Sequence, residues 1–264
     1  MMKKLHKYTV ITKVSLANAL TYRSTTYLRF FFYTFFIYVF MSLWRAIYQQ
    51  GSVHGYGYVQ MVWYLIMTEF VSFACGSDIY STMNDEVKSG SIAYHLGRPS
   101  HYVFYQLANS MGQVLLNMMG FGTLAIVIGF VFVGPLFTFT MAGLPPLILS
   151  VTLSILLNFF ILMLLGLSSF VIEDNYAFYL IYQKATFMLG MFLPVEFLPS
   201  WLQKIARNLP FSYVHWAPAK IFVDYSNGLA IELISRQALC LLAAITATLL
   251  SYHLAIRRLQ VNGG

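Results

Sequence analysis

The chain has 264 residues, of which 59% are hydrophobic and only 9% are charged, with a formal net charge of +7. A soluble domain carries about 25% charged residues, so this chain could not cover a water-facing surface and is predicted to be an integral membrane protein. A positive charge would suggest nucleic-acid binding in a soluble protein. Here the basic residues cluster where the positive-inside rule places them, so no nucleic-acid partner is expected.

The first predicted element is a basic segment, residues 1–28, which contains no acidic residue. Apolar residues recur in it at three- and four-residue spacing: Val10, Val14, Ala17 and Leu20. This pattern is typical of an amphipathic helix that lies in the headgroup layer. We therefore expect an interfacial elbow helix leading into the first membrane span. The alternative is a basic tail that only sets the topology.

Six apolar runs follow, each close to or above the roughly 20 residues that cross a bilayer as a helix. The predicted spans are residues 30–48, 59–77, 107–133, 145–170, 176–193 and 233–256. Pro145 and Pro146 open the fourth run, and a first helical turn tolerates proline well. The predicted fold class is therefore all-α and integral to the membrane, with six transmembrane helices.

Two ionisable residues lie inside predicted spans, Glu69 in the second and Lys184 in the fifth. Such groups are costly in a bilayer and tend to face a bundle interior or a water-filled path. Both are therefore candidates for a transport pathway. Glu69 could instead form a structural hydrogen bond to a neighbouring helix, and Lys184 could snorkel to the interface or pair with Glu69.

Two longer segments between the spans are too polar to cross the membrane. The segment 84–101 is the longest clearly polar stretch, and a polar loop between spans must face water. The segment 194–228 is divided by Pro194, Pro199, Pro210 and Pro218. Its first half predicts one or two short helices at the outer interface, with apolar residues on one face: Trp201, Leu202, Ile205 and Leu209. A surface helix without a role in transport is the alternative.

The distribution of basic residues indicates the orientation. With both termini inside, ten of the sixteen basic residues lie on the inner side: Lys3, Lys4, Lys7, Lys13, Arg23, Arg29, Lys88, Arg98, Arg257 and Arg258. The outer segments carry five: Arg45, Lys204, Arg207, Lys220 and Arg236. This excess predicts a multi-pass protein with both termini in the cytoplasm and residues 84–101 on the cytoplasmic side.

Motifs of soluble catalysis are missing from the sequence. It contains no GxxxxGK[ST] phosphate loop, no HExxH and no GxSxG. The six histidines are scattered, without metal-ligand spacing, and both cysteines lie in apolar runs. We therefore assign no catalytic residue, no metal site and no ATPase site to the chain.

The predicted cytoplasmic loop resembles a known family. Gly90-Ser91-Ile92, followed by Leu96 and Arg98-Pro99, is similar to the "G-x-I/L … L-x-R-P" loop of bacterial type-2 ABC exporter permeases, the ABC-2 six-span membrane subunits. The run from Leu193-Pro194 to Leu209-Pro210 resembles the "F-P … P … L-P" region before the last span of that family. There it precedes a re-entrant helical hairpin on the outer side.

The resemblance implies a single transmembrane permease domain, residues 1–264, in the bacterial cytoplasmic membrane. Its parts would be the elbow helix 1–28, a cytoplasmic coupling loop 78–103 and an external helical hairpin 194–232. Asp85, Glu86 and Lys88 would be exposed on a short coupling helix. Contacts with the ATPase would come from six residues of the loop: Asp85, Glu86, Lys88, Gly90, Arg98 and Pro99. The external hairpin would include Pro194, Glu196, Pro199, Trp201 and Pro210.

The same resemblance implies the partners and the energy source. Two separately encoded ABC ATPase subunits would hold ATP and Mg, none of which this chain would bind. A second permease subunit, identical or homologous, would complete the transporter in the lipid bilayer. Closure of the ATPases would move the coupling loops and rock the spans, exporting an amphipathic cargo (lipid, peptide or drug-like).

Two other functions stay open on the sequence. An ion-gradient-driven secondary carrier or channel would use Glu69 and Lys184 inside the spans. A membrane enzyme acting on lipid would use the scattered histidines and acidic residues near the inner face, although none of the motifs sought supports it.

Overall fold

The computed structural model describes residues 2–21, 24–49, 55–76, 78–97, 100–136, 139–172 and 175–258. Within these ranges the chain is helical and contains no β-strand. The α-helices are α1 Met2–Thr21, α2 Ser24–Tyr48, α3 Tyr58–Cys75, α4 Asp78–Lys88, α5 Ile92–Leu96, α6 Tyr102–Ile128, α7 Leu144–Leu167, α8 Tyr176–Thr186, α9 Ser200–Ala206, α10 Pro210–Val223 and α11 Asn227–Arg258. Short 3₁₀ or π turns lie at Gly129–Val133, Met141–Gly143, Ser168–Phe170, Phe187–Met191 and Val195–Phe197.

Five helical stretches of the described chain are long and apolar enough to cross a membrane: Thr26–Tyr48, Tyr58–Lys88, Tyr102–Val133, Met141–Phe170 and Asn227–Arg257. They coincide with the first, second, third, fourth and sixth predicted spans. The second stretch combines α3 and α4, which meet at Gly76 with a positive φ of 64°. The protein is thus an all-helical, multi-pass membrane protein.

The predicted fifth span, residues 176–193, is not one continuous helix. Here α8 has only 11 residues, and the π turn after it contains non-helical backbone at Leu189 and Gly190. At Gly190, with φ +158°, a Cβ atom would lie 2.8 Å from the Cβ of Trp216, so the close approach of α10 requires glycine there.

The carbonyl groups released by this break find partners on α3. Tyr64 Oη donates a hydrogen bond to Gly190 O, and Thr68 Oγ1 donates to Met191 O at 3.1 Å. An unsatisfied carbonyl would be costly in an apolar bundle, so the two side chains stabilise the break. The sequence prediction missed it because the partners lie more than 120 residues away.

Helix α10 lies at the centre of the bundle and packs on α3, α7, α8 and α11. Every residue from Ser212 to Ile221 is buried. Helix α9 lies in the half of segment 194–228 for which the sequence predicts short interfacial helices, and Trp201 and Ile205 are exposed on it, at 63% and 44%. Most polar side chains of α10 have hydrogen-bond partners, which makes its burial possible, and His215 Nδ1 is an exception.

A buried polar network joins α7, α10 and α11. Gln237 on α11 accepts a hydrogen bond from Ser150 Oγ at 2.7 Å and donates to Ser154 Oγ at 3.0 Å. The same amide donates to the carbonyl of Tyr213 at 2.9 Å. These bonds fix the register of the last span against α7, the pair with the most extensive helix packing.

Helix α1 packs lengthwise along the first half of α6. The ring centroids of Tyr8 and Phe104 are 6.5 Å apart, and Thr12 Oγ1 donates to Ala108 O at 2.9 Å. The two members of each pair are 96 positions apart in the sequence, so the two helices run in the same direction. A Cβ atom on Gly112 would lie 2.6 Å from Ser15 Cβ, which shows how closely the backbones approach.

The predicted apolar residues of α1 lie on its other side. Val10, Val14 and Leu20 are exposed on the protein surface, where they can face lipid. The small and hydroxyl side chains that face α6 were not recognised in the sequence because they show no hydrophobic periodicity. The position of α1 in the headgroup layer stays a prediction.

Candidate functional site

The predicted cytoplasmic loop is mostly helical. Helix α4 extends to Lys88, a turn with Gly90 at φ +72° follows, and α5 covers Ile92–Leu96. The turn is closed by a hydrogen bond from Gly90 N to Val87 O at 3.1 Å. Ile92 is almost fully buried and holds α5 against the bundle. The polar stretch is therefore a short helical hairpin and not an irregular loop.

The predicted contact residues of this hairpin differ in their exposure. Asp85, Lys88 and Gly90 are exposed, as expected for contacts with a partner. Arg98 and Pro99 lie outside the described residues. The expectation that the Glu86 side chain is exposed was wrong, because it is turned toward α6 and is 17% exposed.

Glu86 belongs to a group that we call the coupling cluster, formed with His95, Tyr102 and Gln106. Tyr102 Oη donates a hydrogen bond to Glu86 Oε2, and Gln106 Nε2 donates to Glu86 Oε1 at 3.1 Å. His95 Nε2 of α5 lies 3.6 Å from Glu86 Oε1. The carboxylate thus joins α4, α5 and the first turn of α6.

Aromatic contacts extend the coupling cluster to the end of the last helix. The Tyr102 ring stacks on Tyr252 of α11, with ring centroids 6.1 Å apart and an interplanar angle of 11°. The His101 ring lies 4.8 Å from the same Tyr252 ring. A displacement of the α4–α5 hairpin would therefore act on both α6 and α11.

A second polar group lies at the other end of the bundle, around Lys220 of α10. Its Nζ donates to Asp224 Oδ2 and to Tyr56 Oη, each at 2.7 Å, and lies 3.5 Å from Glu196 Oε1. Trp216 Nε1 also donates to Glu196 Oε2 at 3.2 Å. These bonds join α10 to the segment before α9 and to the chain before α3.

Burial and charge act in opposite directions on Lys220. Burial alone would lower the pKa of its ammonium, but Glu196, Tyr56 and Asp224 outweigh burial and raise that pKa. Burial, supported by Glu196, raises the pKa of Tyr56 to about 12. Lys220 is therefore charged and Tyr56 neutral across the physiological range.

The predicted residues of the external hairpin hold this region together. Pro194 and Pro199 directly precede the 3₁₀ turn and α9, and Pro210 is the first residue of α10. Glu196 pairs with Lys220, whereas Trp201 points outward. The sequence analysis did not identify Lys220 as the partner of Glu196. It also did not identify Tyr56 as a partner of Lys220, because 164 residues separate the two.

The two ionisable residues predicted within spans do not meet. Glu69 is buried on α3, while Lys184 is exposed on α8, and no ion pair joins them. Within the described part of the chain, no hydrogen bond of the Glu69 carboxylate is found. A role of either residue in transport stays a prediction.

A family model described as "ABC-2 family transporter protein" matches residues 21–263. No curated protein matches the chain. Permeases of this kind are membrane transport subunits that generally work with ABC ATPase subunits. Since the match covers nearly the whole chain, and the helices are those of a multi-pass membrane protein, the chain belongs to the ABC-2 transporter family.

Proposed function

We propose that the chain is the membrane-spanning subunit of an ATP-driven exporter that moves an amphipathic cargo out of the cytoplasm. Two separate ABC ATPase subunits would bind ATP and Mg, and a second permease subunit would complete the transporter. The observation that carries this proposal is the α4–α5 hairpin. It presents exposed Asp85 and Lys88 to a partner while Glu86 ties it to α6.

The proposed mechanism follows from this arrangement. ATP-driven closure of the ATPases displaces the hairpin, and the coupling cluster passes the displacement to α6 and, through Tyr252, to α11. Both helices are long, so a small rotation at one end moves the other end of the span. Family membership and the absence of a phosphate-loop motif in the sequence support an external energy source.

The proposed topology has six crossings and both termini in the cytoplasm of a bacterial cell. The fifth crossing would consist of α8 and the broken turn after it, with α9 and α10 returning as a re-entrant hairpin from the outer side. Helix α1 would act as the elbow helix. The excess of basic residues on the proposed inner side supports this orientation.

The test of the coupling role is a charge reversal at the hairpin. Asp85→Lys should weaken association with the ATPase by about tenfold or more, because the new like-charge contact repels the partner. Association is measured by co-purification of the ATPase, and transport is measured as ATP-dependent flux in proteoliposomes. Lys204→Glu, a reversal of an exposed charge on α9, is the matched control and should leave both unchanged.

Two results would contradict the proposal. Equal association of the Asp85→Lys and control variants would remove the hairpin from the ATPase interface. Labelling of the Asp85→Cys variant from the outer side of intact cells would show the opposite orientation and refute the coupling role.

A gradient-driven carrier is the second candidate, and the buried Glu69 carboxylate favours it, because such groups often line ion pathways. This function predicts cargo flux in proteoliposomes that contain the chain alone, driven by an ion gradient and lost in Glu69→Gln. Flux that requires the ATPase subunits and survives Glu69→Gln would exclude it.

A further inference from the structure

A polar cavity lies where α3 ends, between α2, α7, α8 and α10. Its volume is about 570 Å³, within the range of ligand sites. The backbone of Gly76 borders the cavity, where α3 gives way to α4. A second cavity of about 200 Å³ shares part of this lining on the α6 side. Interiors of helical membrane bundles are normally apolar and tightly packed, so a polar space of this size needs an explanation.

The lining of the larger cavity is rich in hydrogen-bonding groups and carries one formal positive charge. Six of its polar residues are Arg29, Gln113, Asn158, Tyr182, Thr186 and His215. Among the described residues that line it there is no carboxylate. The Arg29 guanidinium is held in place by a hydrogen bond from Nη2 to the carbonyl of Phe73 at 2.8 Å. The electrostatics of this lining therefore favour an anionic ligand over a cation.

His215 supplies an independent indication of a ligand. Its side chain lines the cavity and is only 6% exposed, yet Nδ1 has no hydrogen-bond partner. Buried polar side-chain atoms are nearly always paired, and an unpaired one costs about 1–3 kcal/mol. Nδ1 itself has almost no accessible surface, so a ligand in the cavity would reach the ring at Nε2, which makes no hydrogen bond within the described chain either.

The remaining polar side chains are fixed by their neighbours. Tyr182 Oη donates to Asn158 Oδ1 at 2.7 Å, and Asn158 Nδ2 donates to Gly76 O at 3.4 Å. Thr186 Oγ1 donates to the carbonyl of Tyr182 at 3.0 Å. The walls of the cavity are thus preorganised, which lowers the cost of binding.

We propose that this cavity binds the anionic head group of an amphiphile, of the phosphate monoester class. Arg29 would bind the head-group oxygens as a charge-assisted donor, and His215 Nε2 would form a further hydrogen bond to them. Arg29 lies near the proposed inner end of α2, so the ligand would enter from the inner leaflet. The inference deepens the proposed export of an amphipathic cargo and rests on it only for the ligand's role as cargo.

Direct binding tests the site without transport. The full chain is placed in nanodiscs of zwitterionic lipid, and retention of radiolabelled dodecyl phosphate is measured above that of empty nanodiscs. Dodecyl maltoside has the same chain with a neutral head, and inorganic phosphate has the charge without the chain. We expect saturable binding of dodecyl phosphate that neither compound displaces at equal concentration.

Matched variants assign the binding to the cavity. Arg29→Gln should weaken binding by about tenfold or more, because it removes a charge-assisted bond, whereas Arg29→Lys should retain most of it. Arg45→Gln removes the same charge from the exposed other end of α2 and should have no effect. His215→Phe should weaken binding, and His215→Gln should restore it, since its amide places a polar atom near the Nε2 position.

Each remaining outcome has one meaning. Equal binding of dodecyl maltoside, or unchanged binding in Arg29→Gln, would overturn the proposal. Displacement by inorganic phosphate would show a site for a free anion and overturn the assignment to an amphiphile. Should Arg29→Gln fail to fold, the His215 pair decides in the same way. Specific binding without ATP-driven export would refute the proposed function alone, and export without this binding would refute the site alone.

Discussion

Replacement of Glu86 by alanine should loosen the contact of the α4–α5 hairpin with α6. The change leaves two buried donors without their acceptor, Tyr102 Oη and Gln106 Nε2, whose residues are 1% and 2% exposed. Each such donor costs about 1–3 kcal/mol when unpaired. The loss is reduced because Gln106 Nε2 also donates to Tyr102 Oη at 2.9 Å, and because Met83 Sδ, 3.1 Å from Tyr102 Oη, is a second and weaker acceptor. We therefore expect a local destabilisation of about 2–3 kcal/mol.

Hydrogen exchange followed by mass spectrometry measures this loss directly. A change of 2–3 kcal/mol in the local opening equilibrium accelerates exchange of the α5 amides by about 30- to 150-fold. Asp85→Ala is the matched control, since Asp85 is adjacent and exposed, and exchange should change little in it. Glu86→Gln should give an intermediate effect because its amide oxygen still accepts one hydrogen bond.

The reasoning would be refuted if Glu86→Ala and Asp85→Ala gave the same exchange rates in α5 and the start of α6. That result would mean that the coupling cluster does not hold the hairpin. A uniform acceleration over all helices would instead indicate global destabilisation, and the local interpretation would be abandoned.

Three further predictions concern the packing of the bundle; thermal unfolding of the purified protein measures the first two, and limited proteolysis measures the third. Lys220→Met should lower the free energy of unfolding by about 1–3 kcal/mol, because it leaves two partly exposed carboxylates without their cation. Lys204→Met, on the surface, is the control and should change the free energy of unfolding very little. Equal effects of the two variants would contradict the ion-pair argument. Gly190→Ala should lower the free energy of unfolding by about 1–3 kcal/mol or more, because the new methyl group would lie 2.8 Å from Trp216 Cβ of α10 and the backbone φ is positive. Gly228→Ala has open space around it and serves as its control; a stable Gly190→Ala would show that the break tolerates a side chain. Gly112→Val should separate α1 from α6 and raise proteolysis of α1, and unchanged protection would show that their close contact is dispensable.

The sequence predicted the spans well wherever local signals and long apolar runs agree. Pro145 and Pro146 stand in the first turn of α7, where a proline costs no intrahelical hydrogen bond. The fifth span was not predictable in the same way. Its break depends on the contact of Gly190 with α10 and on hydroxyl donors from α3, and neither is visible in the local pattern.

The candidate site shows the same division between local and distant information. The sequence placed Asp85 and Lys88 correctly on an exposed helical segment. The inward turn of Glu86 depends on Tyr102 and Gln106, 16 and 20 residues away. The four-residue spacing of these two polar residues at the start of an apolar helix was a usable signal, since it puts both on one face.

The lengthwise contact of α1 with α6 has a practical consequence for work with the purified protein. Thr12 and Ser15 donate hydrogen bonds to carbonyls of α6, only one or two turns beyond the residues that hold Glu86. Removing the first twenty residues, or attaching a bulky affinity tag to them, would disturb the same helix that receives the hairpin's movement. We therefore expect tags at the other terminus to preserve transport better.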